Sequence, residues 1–213
     1  MLGVYRTMTH EKTFRLVIDA LLIAIVLLQN ILPFLGYIPF GPFSMTLIGL
    51  TVIVAGVALG PGDGALIGGA WGLMTFIRAF AWPTSPVAPL VFTNPLVSIL
   101  PRLLMGIAAG YLYRWARHRR HWGMHRSMRL AAACAALVNS LLVLGLVYFF
   151  YQTPAVAHAF GATGNQTLGY VLMISLLTNA VPELILDVLV APVIAVPLRQ
   201  HWDRIRPKAK TKA

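Results

Sequence analysis

Three ionisable residues, Arg102, Glu183 and Asp187, sit inside runs that are otherwise apolar, and polar residues recur beside them at every fourth position. Asn94, Ser98 and Arg102 fall at i, i+4 and i+8, and Ser175, Asn179, Glu183 and Asp187 keep the same spacing. Residues four apart share one face of a helix, so each run carries a polar stripe. A charge at the centre of a bilayer costs roughly 2.5–3.5 kcal/mol on insertion scales and normally faces partners, a cavity or water. The chemistry on offer is recognition. A guanidinium is a planar fork of donors that matches a carboxylate, and asparagine and serine add neutral donors and acceptors.

Arg102 stands about 12 Å along a helix from Asn94 at 1.5 Å per residue. It follows Pro101, which removes a backbone donor and loosens the helix; broken backbone is tolerated in a membrane where it lines a cavity. Glu183 follows Pro182 in the same way. Two arrangements are open. Arg102 and Glu183 form a structural ion pair between helices, or Arg102 binds a ligand carboxylate with Glu183 as hydrogen-bond partner or counter-ion; the two can coexist. Trp71, Thr75 and Arg78 share another face. Trp71 is a pocket wall or a packing residue, and Arg78 either lines the pocket or snorkels to the outer interface. Asn139, beside Ser140, bonds a neighbouring helix or a ligand, and Tyr170 is a pocket or an interfacial residue.

Covalent chemistry finds no support. Gly60-Pro61-Gly62-Asp63-Gly64 lacks the Lys-Ser/Thr of a phosphate loop and reads as a turn with Asp63 capping the next helix. His118, His121 and His125 lie among arginines that repel a cation, and Cys134 has no charged neighbour to activate it. The sequence predicts no enzyme, no metal and no cofactor.

The elements that must position these groups follow from hydropathy and charge. Mean hydropathy is +0.76, with 58% hydrophobic and 11% charged residues, which excludes an ordinary soluble domain. At ~20 residues per crossing, the chain predicts a single all-α integral membrane domain, 1–213, a bundle of six transmembrane helices at about 14–32, 43–59, 65–80, 91–113, 130–151 and 168–198. The net charge of +11 is concentrated in a basic loop, 114–129, in the tail, 199–213, and at Arg6, Lys12 and Arg15. The connections 33–42, 81–90 and 152–167 carry no Asp, Glu, Lys or Arg. That asymmetry is the positive-inside signature and predicts cytoplasmic N and C termini; it explains the basic charge without nucleic acid. Small residues four apart (Ala20 and Ala24, Gly56 and Gly60, Gly68 and Gly72, Gly106 and Gly110) permit close helix approach.

The stretch Phe92-Thr93-Asn94-Pro95-Leu96-Val97-Ser98-Ile99-Leu100-Pro101-Arg102 resembles the fourth helix of the substrate-binding S components of energy-coupling factor (ECF) vitamin transporters, most closely the pantothenate type. Six predicted helices, the Ala20-x-x-x-Ala24 pair and Leu59-Gly60-Pro61 extend the resemblance over nearly the whole chain. Many members carry a lysine after Leu-Gly-Pro, where this chain has Gly62. The resemblance implies a bacterial cell-membrane subunit that captures a vitamin from outside with high affinity. It implies a pocket formed by the first external loop and helices three to six, with Arg102 for the carboxylate, Asn94, Asn139 and Asn179 for hydroxyls and amide, Ser98 among the further substrate-binding candidates, and Tyr37 and Phe40 closing the loop. It also implies that Ala20 and Ala24 pack on a transmembrane coupling subunit bound to two ATPases. Three other expectations stay open: an S component for a different vitamin, a membrane scaffold whose stripes are helix glue, and an ion-coupled secondary transporter with Glu183 and Asp187 as proton relay.

Overall fold

The computed structural model describes residues 2–40, 43–83 and 85–205, with side chains described outside 2–12, 33, 37–45 and 202–205. The elements in order are α1 (Leu2–Ile31), α2 (Pro33–Gly36), β1 (Tyr37–Phe40), β2 (Phe43–Thr46), α3 (Ile48–Ala58), α4 (Pro61–Ala81), α5 (Ala88–Val91), α6 (Pro95–Ser98), α7 (Leu100–His118), α8 (Met124–Phe150), α9 (Pro154–Ala159), α10 (Leu168–Ser175), a π-helical turn (Leu176–Ala180) and α11 (Val181–Ile205). Apart from one two-stranded hairpin, the described chain is helical.

Among the described residues, five stretches are long and apolar enough to cross a membrane: Thr13–Ile31, Pro61–Ala81, Pro95–His118, Met124–Phe150 and Leu168–His201. The second predicted span, 43–59, is the exception. Its first residues pair as β2 against β1, with Tyr37 opposite Thr46 and Phe40 opposite Phe43. What remains is the helix α3 of 11 residues, roughly 16 Å against a hydrocarbon core of about 30 Å. Ile48, Val52, Ile53, Ala55 and Ala58 on α3 are fully buried, as expected of a helix that is apolar all round. α3 is therefore the core around which α4, α7 and α11 pack.

The predicted basic loop is also shorter. Arg114 and Arg117 belong to α7 and Arg126 and Arg129 to α8, leaving Arg119 to Gly123 as the connection. Asp63 does not cap α4 through its side chain. Instead it accepts from Arg15, Nη2 to Oδ1 at 2.6 Å and to Oδ2 at 2.7 Å. At the other end of the same two helices, Arg78 Nη1 donates to the Asn30 carbonyl at 2.7 Å. Both links span 48 residues, so α1 and α4 run side by side in the same direction, tied at each end.

The glycine spacing is internal packing. A Cβ on Gly56 would stand 2.6 Å from the Gly106 carbonyl oxygen, and one on Gly64 would stand 2.5 Å from it. The backbones of α3, α4 and α7 meet where no side chain intervenes. Ala20 and Ala24 differ: both are exposed, on a face of α1 shared with Val17, Leu21 and Leu28. Leu66, Leu73, Tyr111, Leu141, Phe149, Leu189 and Val193 also point outward, an apolar belt that suits lipid rather than water.

Candidate ligand-binding site

The site starts from two prolines. Pro95 opens α6, where Asn94 is the N-cap and accepts from the Leu96 N–H at 3.0 Å. Ser98 is fully buried and donates back to the Asn94 carbonyl at 2.9 Å. Pro101 has no N–H, so the Val97 carbonyl four residues earlier lacks its helical donor. The helix breaks at Ile99, and Arg102 Nη1 donates to the Val97 carbonyl in place of the missing backbone N–H. The continuous stripe expected from i, i+4, i+8 spacing is therefore interrupted: Asn94 and Ser98 secure the break, and Arg102 turns back across it.

That turn seats the guanidinium between two rings. The Arg102 Cζ lies 5.3 Å from the centroid of Trp71 and 5.0 Å from that of Phe92, a cation–π arrangement. Arg102 is buried, as is Trp71. Close packing of α4 on α7 supports it from behind, since a Cβ on Gly68 would collide with the Arg102 carbonyl.

Opposite, the last membrane helix is interrupted too. Pro182 leaves the Thr178 carbonyl without an i+4 donor, and the helix passes through the π turn Leu176–Ala180. Such turns recur at functional sites. Asn179, within it, donates to Ser175 Oγ at 3.3 Å. Glu183, one turn on, accepts from Thr46 Oγ1 at 2.7 Å. The direct Arg102–Glu183 ion pair is thus not how these groups are held; the ion pair within 4.0 Å among the described residues is Arg15–Asp63.

Between these elements lies a cavity of about 590 Å³, within the range of small-molecule sites. Trp71, Arg102, Asn139, Ser140, Asn179 and Glu183 line it, together with Thr46, Phe92, Phe160 and Ser175. Asn139 Oδ1 is buried with no hydrogen-bond partner among the described residues, an acceptor available to a ligand donor. One turn below Glu183, outside the cavity lining, Asp187 is fully buried and neither carboxylate oxygen has a partner among the described residues.

Of the residues singled out in the sequence, Trp71, Arg102, Asn139, Asn179 and Glu183 are brought together. Arg78 is buried against α1, Tyr170 is exposed, and Asn94 and Ser98 hold the helix break; none of the four lines the cavity. The Tyr37 and Phe40 side chains lie outside the described residues. Thr46, Phe92 and Phe160 were not legible as site residues. Phe92 lay within the recognisable motif, but only the break in the helix aligns it with Arg102. Thr46 carries no signal before the hairpin is known.

Comparison with known proteins identifies the family. The family model described as "ECF transporter, substrate-specific component" matches residues 14–195. A protein of Leuconostoc mesenteroides subsp. mesenteroides named "Pantothenate transporter PanT" is 33% identical over 202 residues, covering 91% of this chain and 98% of the relative. One of Lactococcus lactis subsp. cremoris named "Pantothenic acid transporter PanT" is 31% identical over 205 residues, covering 90% and 96%. This is a multi-pass protein of the bacterial cell membrane that serves vitamin uptake and is not an enzyme, and the chain belongs to the substrate-specific components of ECF transporters.

Proposed function

We propose that the chain is the high-affinity pantothenate-binding subunit of an ATP-driven importer. It captures the vitamin from outside and delivers it inward together with a transmembrane coupling protein and two separate ATPases. The observation that carries this is Arg102: a buried guanidinium, fixed by the Val97 carbonyl and two aromatic rings, on the wall of a cavity otherwise rich in neutral polar groups. Pantothenate bears one carboxylate, two hydroxyls and an amide. Arg102 takes the first, and Asn139, Ser140, Ser175 and Asn179 serve the others. The names of the two relatives support the same substrate.

In this proposal α3 counts as the sixth element of a six-helix bundle with cytoplasmic termini. The exposed Ala20–Ala24 face of α1 meets the coupling subunit, while Tyr37 and Phe40 close the outer loop. Asn94 and Ser98 act by holding the helix break, and Arg78 by tying α4 to α1. A scaffold has no use for a buried, ring-clamped arginine on a cavity wall.

A thermal-shift screen of water-soluble vitamins on the purified chain tests the substrate. Pantothenate raises the midpoint progressively with concentration, as ligand linkage requires, and a different vitamin doing so alone contradicts the assignment. Purification from native membranes tests the partners, with two ATPases and one membrane protein expected to accompany the chain.

A further inference from the structure

The cavity wall carries an acidic side chain as well as the basic one that meets the ligand carboxylate. Among the described residues that line it, Arg102 is the one basic side chain and Glu183 the one acidic side chain. Glu183 is placed by construction. Thr46 Oγ1, on β2 of the outer hairpin, donates to its Oε1 at 2.7 Å, and Gly49 leaves it room, because a Cβ there would stand 3.3 Å from that oxygen and 3.1 Å from Met105 Cε. When ionised, the Glu183 carboxylate only accepts hydrogen bonds. With Oε1 engaged by Thr46, Oε2 is left for a hydroxyl or amide donor on the ligand.

We infer that Glu183 is a charge filter: it rewards a ligand carrying one anionic group plus hydroxyl donors, and it rejects ligands carrying a second anionic group, such as phosphate esters and dicarboxylates. This rests on, and deepens, the assignment of the cavity to pantothenate. Arg102 compensates one negative charge. A second has no lining cation to meet and faces Glu183 across a confined space, where like charges repel more strongly than in water. Specificity of this kind comes from the unfavourable contact with the wrong ligand as much as from the favourable contact with the right one. Thr46 is a positioning residue that fixes which way the carboxylate faces.

The test is competition binding to the purified full-length chain with three probes. These are pantothenate, its phosphate ester at the terminal hydroxyl (about −1.5 to −2 charge at neutral pH), and its acetate ester at the same hydroxyl, which is bulky but adds no charge. The wild type prefers pantothenate over the phosphate ester. Glu183→Gln narrows the ratio of those two dissociation constants by about tenfold, equivalent to about 1.4 kcal/mol, and changes the pantothenate-to-acetate ratio far less, because the acetate ester loses a hydroxyl donor but adds no charge. Thr46→Val narrows the phosphate ratio in the same direction, and Thr46→Ser restores it, a pattern that general damage to the fold does not produce. Glu183→Asp keeps the discrimination because it keeps the charge, so a Glu183→Gln protein that fails to fold leaves Asp and the Thr46 pair to decide. An unchanged phosphate ratio in Glu183→Gln, or equal narrowing for both esters, overturns the filter alone. Wild type that ignores pantothenate overturns the substrate assignment itself, and the filter with it.

Discussion

Arg102 donates to the carbonyl of Val97, the backbone acceptor that Pro101 leaves without a helical N–H. A defect in the helix ladder and the orientation of the central cation are one event. Pro101→Ala gives that carbonyl back a backbone donor, and the helix straightens through Ile99. We expect pantothenate binding to weaken by about 0.5–1.5 kcal/mol, the net worth of one hydrogen bond, with thermal stability of the unliganded protein unchanged or raised. Isothermal titration beside a melting curve separates the two effects.

Gly68 and Gly69 are adjacent on α4 and should respond in opposite senses. A Cβ on Gly68 meets the Arg102 backbone, whereas nothing lies within 4 Å of one on Gly69. Gly68→Ala should destabilise by about 1–3 kcal/mol through overpacking and impair ligand binding. Gly69→Ala should be neutral or stabilising by up to about 1 kcal/mol, the helix-propensity difference. Unfolding midpoints of the two variants read this directly.

The α1–α4 tie at Arg15 and Asp63 is asymmetric. Asp63 has 7% of its side chain exposed and Arg15 has 43%. Arg15→Ala strands a buried carboxylate, so it should cost more stability than the double variant Arg15→Ala/Asp63→Asn, which leaves no unpaired charge. The exposure of Arg15 keeps the net worth of the pair itself near 1 kcal/mol or below. A double-mutant cycle in thermal unfolding gives both quantities.

Ala20 and Ala24 face outward from α1 and line no part of the cavity. Ala20→Leu with Ala24→Leu should leave pantothenate affinity of the purified chain unchanged while abolishing uptake by cells, because bulk at a small-residue seam blocks close helix approach. Loss of both activities, or of neither, removes these residues from the partner surface.

Much of this architecture was legible in the sequence because charge and proline are expensive in a membrane. Arg102, Glu183, Pro101 and Pro182 could be placed before any coordinates, and the family resemblance rested on the same stretch. The hairpin was not legible. The run Phe43-Ser44-Met45-Thr46-Leu47 is uncharged and alternates apolar with polar residues, a strand period too short to stand out from the apolar run that follows it, so hydropathy extends the second span over both. Spacing alone leaves Arg78 as a pocket residue or an interfacial one; its carbonyl partner Asn30 lies 48 residues away and leaves no mark in local spacing. Thr46 was missed for a related reason: its link to Glu183 spans 137 residues.

The most direct test is titration of the purified chain with pantothenate and with its alcohol analogue, which lacks the carboxylate, in wild type and Arg102→Ala. Wild type should bind pantothenate saturably, one per chain, and the alcohol far more weakly. Arg102→Ala should lose about 1.5–3 kcal/mol toward pantothenate, the range for a hydrogen bond to a charged group, and nothing toward the alcohol. Equal binding of the two compounds by wild type, or pantothenate affinity untouched by Arg102→Ala, would contradict the account.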